Sequence, residues 1–454
     1  MKTTNQEPLT IHEAAAQLRA KTCKSADLVA QCLARIASME PQVKAWVVVD
    51  ADGARQQAAR ADQELAAGND RGPLHGIPIG IKDIVDVEGF PTRAGSPLTD
   101  SAAAAVDATI VARLRQAGAV ILGKTVTTEF ASFDPPVTRN PWNLERTPGG
   151  SSSGSAAALA VGMCLGAIGS QTGGSITRPA SYCGVTGLKP TYGRVSLAGI
   201  VPLAFGLDHP GPMARCVADL ATMLRAIAGD DPRDPLADVE PVADYASRLA
   251  LQEGPPRLGL VERFFVDTAD AAVQSAMSRT VSLLRSQGAE ISTAELPASF
   301  EQTYAMHRRL MAVGAADFHR RWFPRQRQQY GPKIASLLDE GMAISAIDYA
   351  EAVAHQARYK GEIKLALKQF DALIMPATPT TAPPADSTGE PRFNSQWSYS
   401  GLPVASLPVE LAEDGLPVCV QLVGGPLAEG PLLAAAAWCE RAVCFQARPA
   451  MWGQ

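Results

Sequence analysis

Charged residues make up only 19% of this 454-residue chain and aromatic residues 6%, and no run of one sign or long apolar stretch offsets either shortage. The formal net charge is −5 and no long Lys/Arg run is present, so the chain has no electrostatic footprint for a phosphate backbone and nucleic acid is not expected as a substrate. The eight cysteines form no C-x-x-C pair and no His/Cys cluster at zinc spacing, which argues for reduced, mostly buried thiols and against a metal centre. No G-x-G-x-x-G occurs. The longest bland stretch, Ala156 to Ile168, falls short of the about 20 residues a membrane span needs and suits a buried core helix. The polar start, Met1 to Thr10, lacks the apolar centre of a secretory signal, so a cytoplasmic location is the expectation.

What is present fits a globular enzyme: hydrophobic residues reach 46%, with 38 Gly and 34 Pro to shape loops. Apolar positions between Thr10 and Ser38 recur at helical spacing with an interruption near Lys21 to Lys24, which predicts a helical hairpin. Gly76 to Val85 alternates like a strand, Ala108 to Ala117 reads as a helix stopped by Gly118, and Ala119 to Leu122 reads as a second strand. Asp134 to Ser155, with four prolines and a Gly/Ser cluster, must be loop. Strand, helix and strand return at Leu258–Val261, 267–287 and 289–291, and strands are expected at 372–376 and 419–423. This alternation predicts the α/β class, as a single domain over 1–454. The 290–370 region, richer in Arg, Gln and aromatics, is expected to form a helical cap over the active site.

Two Gly/Ser segments carry the chemistry: Gly149-Gly150-Ser151-Ser152-Ser153-Gly154-Ser155 and Gln171-Thr172-Gly173-Gly174-Ser175-Ile176-Thr177-Arg178-Pro179. Gly-rich backbone presents free N–H groups beside hydroxyl side chains at the two ends of one apolar element, and a developing oxyanion needs such donors. The third element is Ile79-Gly80-Ile81-Lys82-Asp83. A lysine turned inward from a strand is desolvated, its pKa falls, and each pKa unit is worth about 1.4 kcal/mol that packing must supply. A neutral lysine is a competent base near pH 7.

Together with Cys183-Gly184-Val185-Thr186-Gly187-Leu188-Lys189-Pro190, these segments resemble the amidase signature, most densely over 72–212. The resemblance implies one large α/β/α domain around a mixed sheet. It places the family's lysine on Lys82, its cis-peptide relay serine on Ser151 and its nucleophile on Ser175. The family spaces the two serines by 24 positions, as here (175 − 151 = 24). Thr172, Gly173, Gly174 and Ser175 would then supply backbone donors to the oxyanion. The implied reaction needs no metal or cofactor and acts on a small molecule with an amide-like carbonyl, be it amide, anilide, carbamate, urea or ester. A homodimer is the family-based expectation. Two departures stand out: many members have Asp where this chain has Gln171, and Arg where it has Thr177, with Arg178 one position later. The glutamine-hydrolysing subunit of tRNA amidotransferase normally carries the Asp form, so the Gln form points to a small-substrate amidase. Phe130, Phe133, Trp397 and Tyr399 are expected to wall an acyl or leaving-group pocket. Arg178 is expected either to anchor a polar substrate group or to fix the loop.

Three competing readings stand beside this one. Gly150-Ser151-Ser152-Ser153-Gly154 matches the G-x-S-x-G elbow of α/β-hydrolases, which would make Ser152 the nucleophile with His307 or His355 as base, but the segment before it is not a strand. Gly118 to Thr125 matches the phosphate-loop letters, yet its four middle residues are themselves an apolar strand. A silent subunit or binding module would have lost Lys82, Ser151 or Ser175, and all three are present.

Overall fold

The computed structural model describes residues 9–251 and 254–453; most of the polar start, residues 1–8, lies outside the described residues. Eleven strands join in one sheet: β1 (Trp46–Val49), β2 (Pro78–Lys82), β3 (Val120–Thr125), β4 (Gly166–Gln171), β5 (Thr186–Lys189), β6 (His209–Ala214), β7 (Arg257–Leu260), β8 (Glu290–Thr293), β9 (Ala372–Pro376), β10 (Val404–Leu411) and β11 (Pro417–Val423). Their spatial order is β1-β3-β2-β4-β6-β5-β10-β11-β9-β7-β8. The chain is thus a single α/β domain built on a mixed sheet flanked by helices. β3, β2 and β4 run parallel, as do β9, β7 and β8, while antiparallel pairings connect the two groups.

The parallel trio carries the site. The Thr109–Gln116 helix bridges β2 to β3 in a βα crossover, and the Ser153–Ala160 helix follows the Gly/Ser loop into β4. All eight residues of Ser153–Ala160 are buried, as a helix that is apolar or small on every side requires. Gly154 lets it approach β1 and β3: a Cβ there would sit 2.1 Å from the Ala45 carbonyl oxygen. The expected helix over 156–168 therefore ends early. Gly162, at φ 68°, turns the chain after Ala160, and Gly166 to Ile168 belong to β4. The Gly/Ser segments consequently flank a helix and a strand rather than one helix.

The helical hairpin is present as Ile11–Arg19 and Ser25–Val43. Residues 303–367 are mostly helical, with long helices at Thr303–His319, Pro332–Ala343 and Ala346–Leu367. No described helix is long and apolar enough to cross a membrane. The described residues hold no cluster of His, Cys, Asp or Glu suited to a metal ion.

Candidate active site

Lys82 is the last residue of β2, and the 172–175 loop leaves the end of the parallel neighbour β4. Sites in open α/β sheets gather at such carboxyl ends. The Lys82 side chain is fully buried, and its Nζ lies 2.7 Å from Ser151 Oγ and 2.8 Å from Ser170 Oγ. No carboxylate comes within ion-pair distance of it among the described residues. Burial pushes its pKa well below the ordinary lysine value, against a smaller opposing pull from Asp208. Both contacts are to neutral hydroxyls, so no charged partner offsets the desolvation of an ammonium, and burial favours the neutral amine.

Lys124, in the adjacent strand β3, is the instructive contrast. It too is buried, but its Nζ meets Asp83 Oδ1 at 2.8 Å, so it is ion-paired. The phosphate-loop reading of Gly118 to Thr125 fails on this geometry, because Gly123, Lys124 and Thr125 are strand residues and the lysine is committed to Asp83.

Ser151 is fully buried and follows Gly150 through a cis peptide bond. Ser152 turns away: its Oγ donates to the Ser170 carbonyl at 3.2 Å and accepts from the Ser170 N–H at 3.1 Å. Neither proposed histidine serves it. His307 Nε2 is 2.8 Å from the Thr172 carbonyl oxygen, and His355 bridges the Tyr399 hydroxyl and the Ser299 carbonyl. The hydrolase-elbow reading is overturned by these contacts.

Around Ser175 the backbone donors divide sharply. The Gln171 side-chain oxygen accepts from the N–H groups of Ile176 and Thr177, each at 3.0 Å, and from Thr177 Oγ1 at 3.1 Å. The two departures noted in the sequence thus meet in one neutral clamp. By contrast, the N–H groups of Gly173, Gly174 and Ser175 have no acceptor among the described residues. Carbonyl groups of the same loop are held from behind: His307 contacts that of Thr172, and Ser395 Oγ donates to that of Gly173 at 3.1 Å. Thr172 Oγ1 donates to Asp208, a buried carboxylate that also accepts from the N–H groups of Leu203 and Ala204. Burial pushes the Asp208 pKa up to about 6.

Arg178 is 1% exposed and donates from Nη2 to the Gly150 carbonyl at 2.7 Å. Its Nε and Nη1 are buried without a partner among the described residues. Burial lowers its pKa, partly offset by Tyr182, Glu390 and Tyr304, the last two of which line a cavity of about 390 Å³. That cavity also takes in Phe133, His307, Arg308 and Ser395, and so borders the nucleophile loop.

The other expected wall residues separate. Phe130 faces a different cavity beside His319 and Tyr330. Trp397 is stacked on Phe265, and Tyr399 donates to the Ala352 carbonyl beside Tyr359; both are core side chains lining neither cavity. Ser170, Asp83, Asp208 and His307 were not singled out for these contacts by the sequence, since their partners are set by strand neighbours and distant loops.

A model of the Amidase family matches residues 27–433. The chain belongs to the amidase family. Among curated relatives, a glutamyl-tRNA(Gln) amidotransferase subunit from Roseiflexus sp. (strain RS-1) is 38% identical over 94% of both chains, and its counterpart from Geobacter metallireducens is 35% identical over 97% and 99%. Peptide amidase from Stenotrophomonas maltophilia superposes with a TM-score of 0.87 at 32% identity, covering 97% of this chain and 98% of that one. A structure solved in work on a vestigial protein complex and the origins of an s-triazine catabolic enzyme superposes at 0.91, with 30% identity over 97% and 100%. The protein is accordingly an enzyme of amide C–N chemistry, an amidase-type hydrolase of the family that uses a Ser-Ser-Lys triad.

Proposed function

We propose that this amidase hydrolyses a small amide through an acyl-enzyme, with Ser175 as nucleophile, Ser151 as relay and Lys82 as base. The observation that carries the reading is the buried lysine amine held only by hydroxyls, Ser151 at 2.7 Å and Ser170 at 2.8 Å. Neutral Lys82 accepts the Ser151 proton as Ser151 accepts that of Ser175, whose Oγ attacks the carbonyl carbon. The N–H groups of Thr172, Gly173, Gly174 and Ser175 form the oxyanion hole, the last three without an acceptor among the described residues, and Asp208 and His307 hold Thr172 in place. The relay reverses to protonate the leaving amine, and a water repeats the attack on the ester to release the acid.

The substrate occupies the cavity walled by Phe133, Tyr304, His307 and Arg308, under the helical 290–370 region acting as a cap. Arg178 fills both roles considered for it: one nitrogen braces the Gly150 carbonyl, and the two unpartnered ones await a carboxylate or carbonyl of the substrate. The neutral Gln171–Thr177 clamp supports a small-molecule amidase over the glutamyl-tRNA(Gln) amidotransferase subunit as which its curated relatives are named. Anilides, carbamates and esters present the same carbonyl to this machinery, and one panel tests them together with glutamine and with carboxylate-bearing and neutral amides. Arg178→Lys should raise KM about tenfold or more for carboxylate-bearing substrates, since bidentate donation is lost. A uniform rate loss accompanied by a lower Tm would restrict Arg178 to bracing.

A further inference from the structure

The cavity that receives Phe130 lies at the far end of the Thr303–His319 helix from the catalytic loop. His307 touches the Thr172 carbonyl, and His319 is twelve residues further on (319 − 307 = 12), about 18 Å at 1.5 Å per residue. The cavity encloses about 550 Å³, within the range of small-molecule sites. One side is aromatic. The His319 ring has Phe130, Phe318, Tyr330 and Trp322 around it, at centroid distances of 4.4, 4.9, 5.4 and 6.2 Å. The facing side, from the 86–106 segment, contributes Asp86 and Asp100, and no Lys or Arg lines the space.

These features select a charge. Aromatic rings attract cations through their quadrupoles, and carboxylates without neighbouring cations reinforce that preference. Asp86 accepts from Thr92 Oγ1 at 2.7 Å and makes no ion pair among the described residues. Lys124, whose field reaches Asp86, is already paired with Asp83 at 2.8 Å. His319 adds an independent sign of a missing partner. It is 1% exposed, its Nδ1 meets the Tyr330 hydroxyl at 3.1 Å, and its Nε2 has no partner among the described residues. Burial lowers its pKa to about 4, so it brings no opposing charge. Trp322, 46% exposed, stands where the cavity meets solvent.

We propose that this cavity is a second ligand site, which takes a small organic ammonium ion between the rings around His319 and the carboxylates of Asp86 and Asp100. The two cavities share no lining residue, and the proposal does not depend on the chemistry assigned to Ser175, Ser151 and Lys82. Phe130 therefore serves this site and not the acyl pocket.

Calorimetric titration of the full chain with choline, and with its uncharged isostere 3,3-dimethyl-1-butanol, tests the proposal. Choline should bind saturably and the isostere about tenfold more weakly or not at all. Trp322→Ala and Asp86→Asn should each weaken choline about fivefold or more while leaving amide turnover unchanged. Protein already modified by a fluorophosphonate in the catalytic seam should bind choline as before. Trp322 is a surface side chain, so its variant keeps the test open even if Asp86→Asn does not fold. No saturable choline binding, equal affinity for the uncharged isostere, indifference to Trp322→Ala, or loss of binding after fluorophosphonate treatment would each overturn the proposal.

Discussion

Ser170→Ala isolates the one contact that orients the proposed base without touching the substrate. Ser170 Oγ lies 2.8 Å from Lys82 Nζ, beside the 2.7 Å contact to Ser151, and the residue lines neither the cavity at the nucleophile loop nor the one around His319. Its backbone bonds with Ser152 survive the substitution. What is lost is a neutral hydrogen bond of about 0.5–1.5 kcal/mol, which corresponds to a roughly two- to twelvefold fall in kcat if the amine's lone pair is no longer held toward Ser151. KM should not move. The pH profile gives a second readout. Ser170 Oγ is an acceptor that favours the ammonium form, so removing it should lower the Lys82 pKa further and shift the acid limb of kcat/KM to lower pH. Acylation by a chromogenic anilide, followed from pH 5 to 10 in wild type, Ser170→Ala and Ser170→Thr, measures both, and the Thr variant should recover most of the loss. An unchanged plateau and an unmoved acid limb in Ser170→Ala would refute the orienting role and the neutral-amine reading with it.

Lys82→Met should abolish turnover and raise stability at pH 7. The folded lysine has a lowered pKa, so between that value and its unfolded value, about 10.4, the unfolded chain binds the extra proton and stability falls as pH falls. The Met variant escapes this dependence, and its Tm at pH 7 should rise by about 1 °C for each kcal/mol recovered. A lower Tm at neutral pH, or one that tracks pH as wild type does, would mean that the lysine is charged in the fold. Gln171→Asp buries a carboxylate with no cation at position 177 and ends the 3.2 Å donation to Ser398, so about 1–3 kcal/mol of stability should be lost in urea titration along with most of kcat. Unaltered stability would show that the neutral clamp has no special standing.

Much of the site was legible because it is written in contiguous segments. Gly149 to Ser155 and Gln171 to Pro179 carry their chemistry in local order, and their spacing does not depend on what packs behind them. Lys82 could be placed on a strand by alternation alone. What escaped the sequence is long-range: Ser170 reaches Lys82 only because β2 and β4 run in parallel register, with Ile81 opposite Ile168, and Asp83 finds Lys124 across β2 and β3. The α/β class followed from the alternation of strands and helices, whereas the strand order, with β10 inserted between β5 and β11, rests on pairings that no local pattern announces. The Ala156 to Ile168 stretch misled because Ala, Gly and Leu suit a buried helix and a buried strand alike, and Gly162 alone marks the change. Trp397 and Tyr399 were placed by proximity in sequence to the Gly401-Leu402-Pro403 segment, but their rings pack on Phe265 and Tyr359 in the core.

The assignment of Ser175 as nucleophile is tested most directly by fluorophosphonate labelling of the full chain followed by peptide mass spectrometry. A single adduct on Ser175, absent from Ser175→Ala and formed at least about a hundredfold more slowly in Lys82→Ala, is the predicted result. An adduct on Ser152, or undiminished labelling of Ser175→Ala, would contradict it.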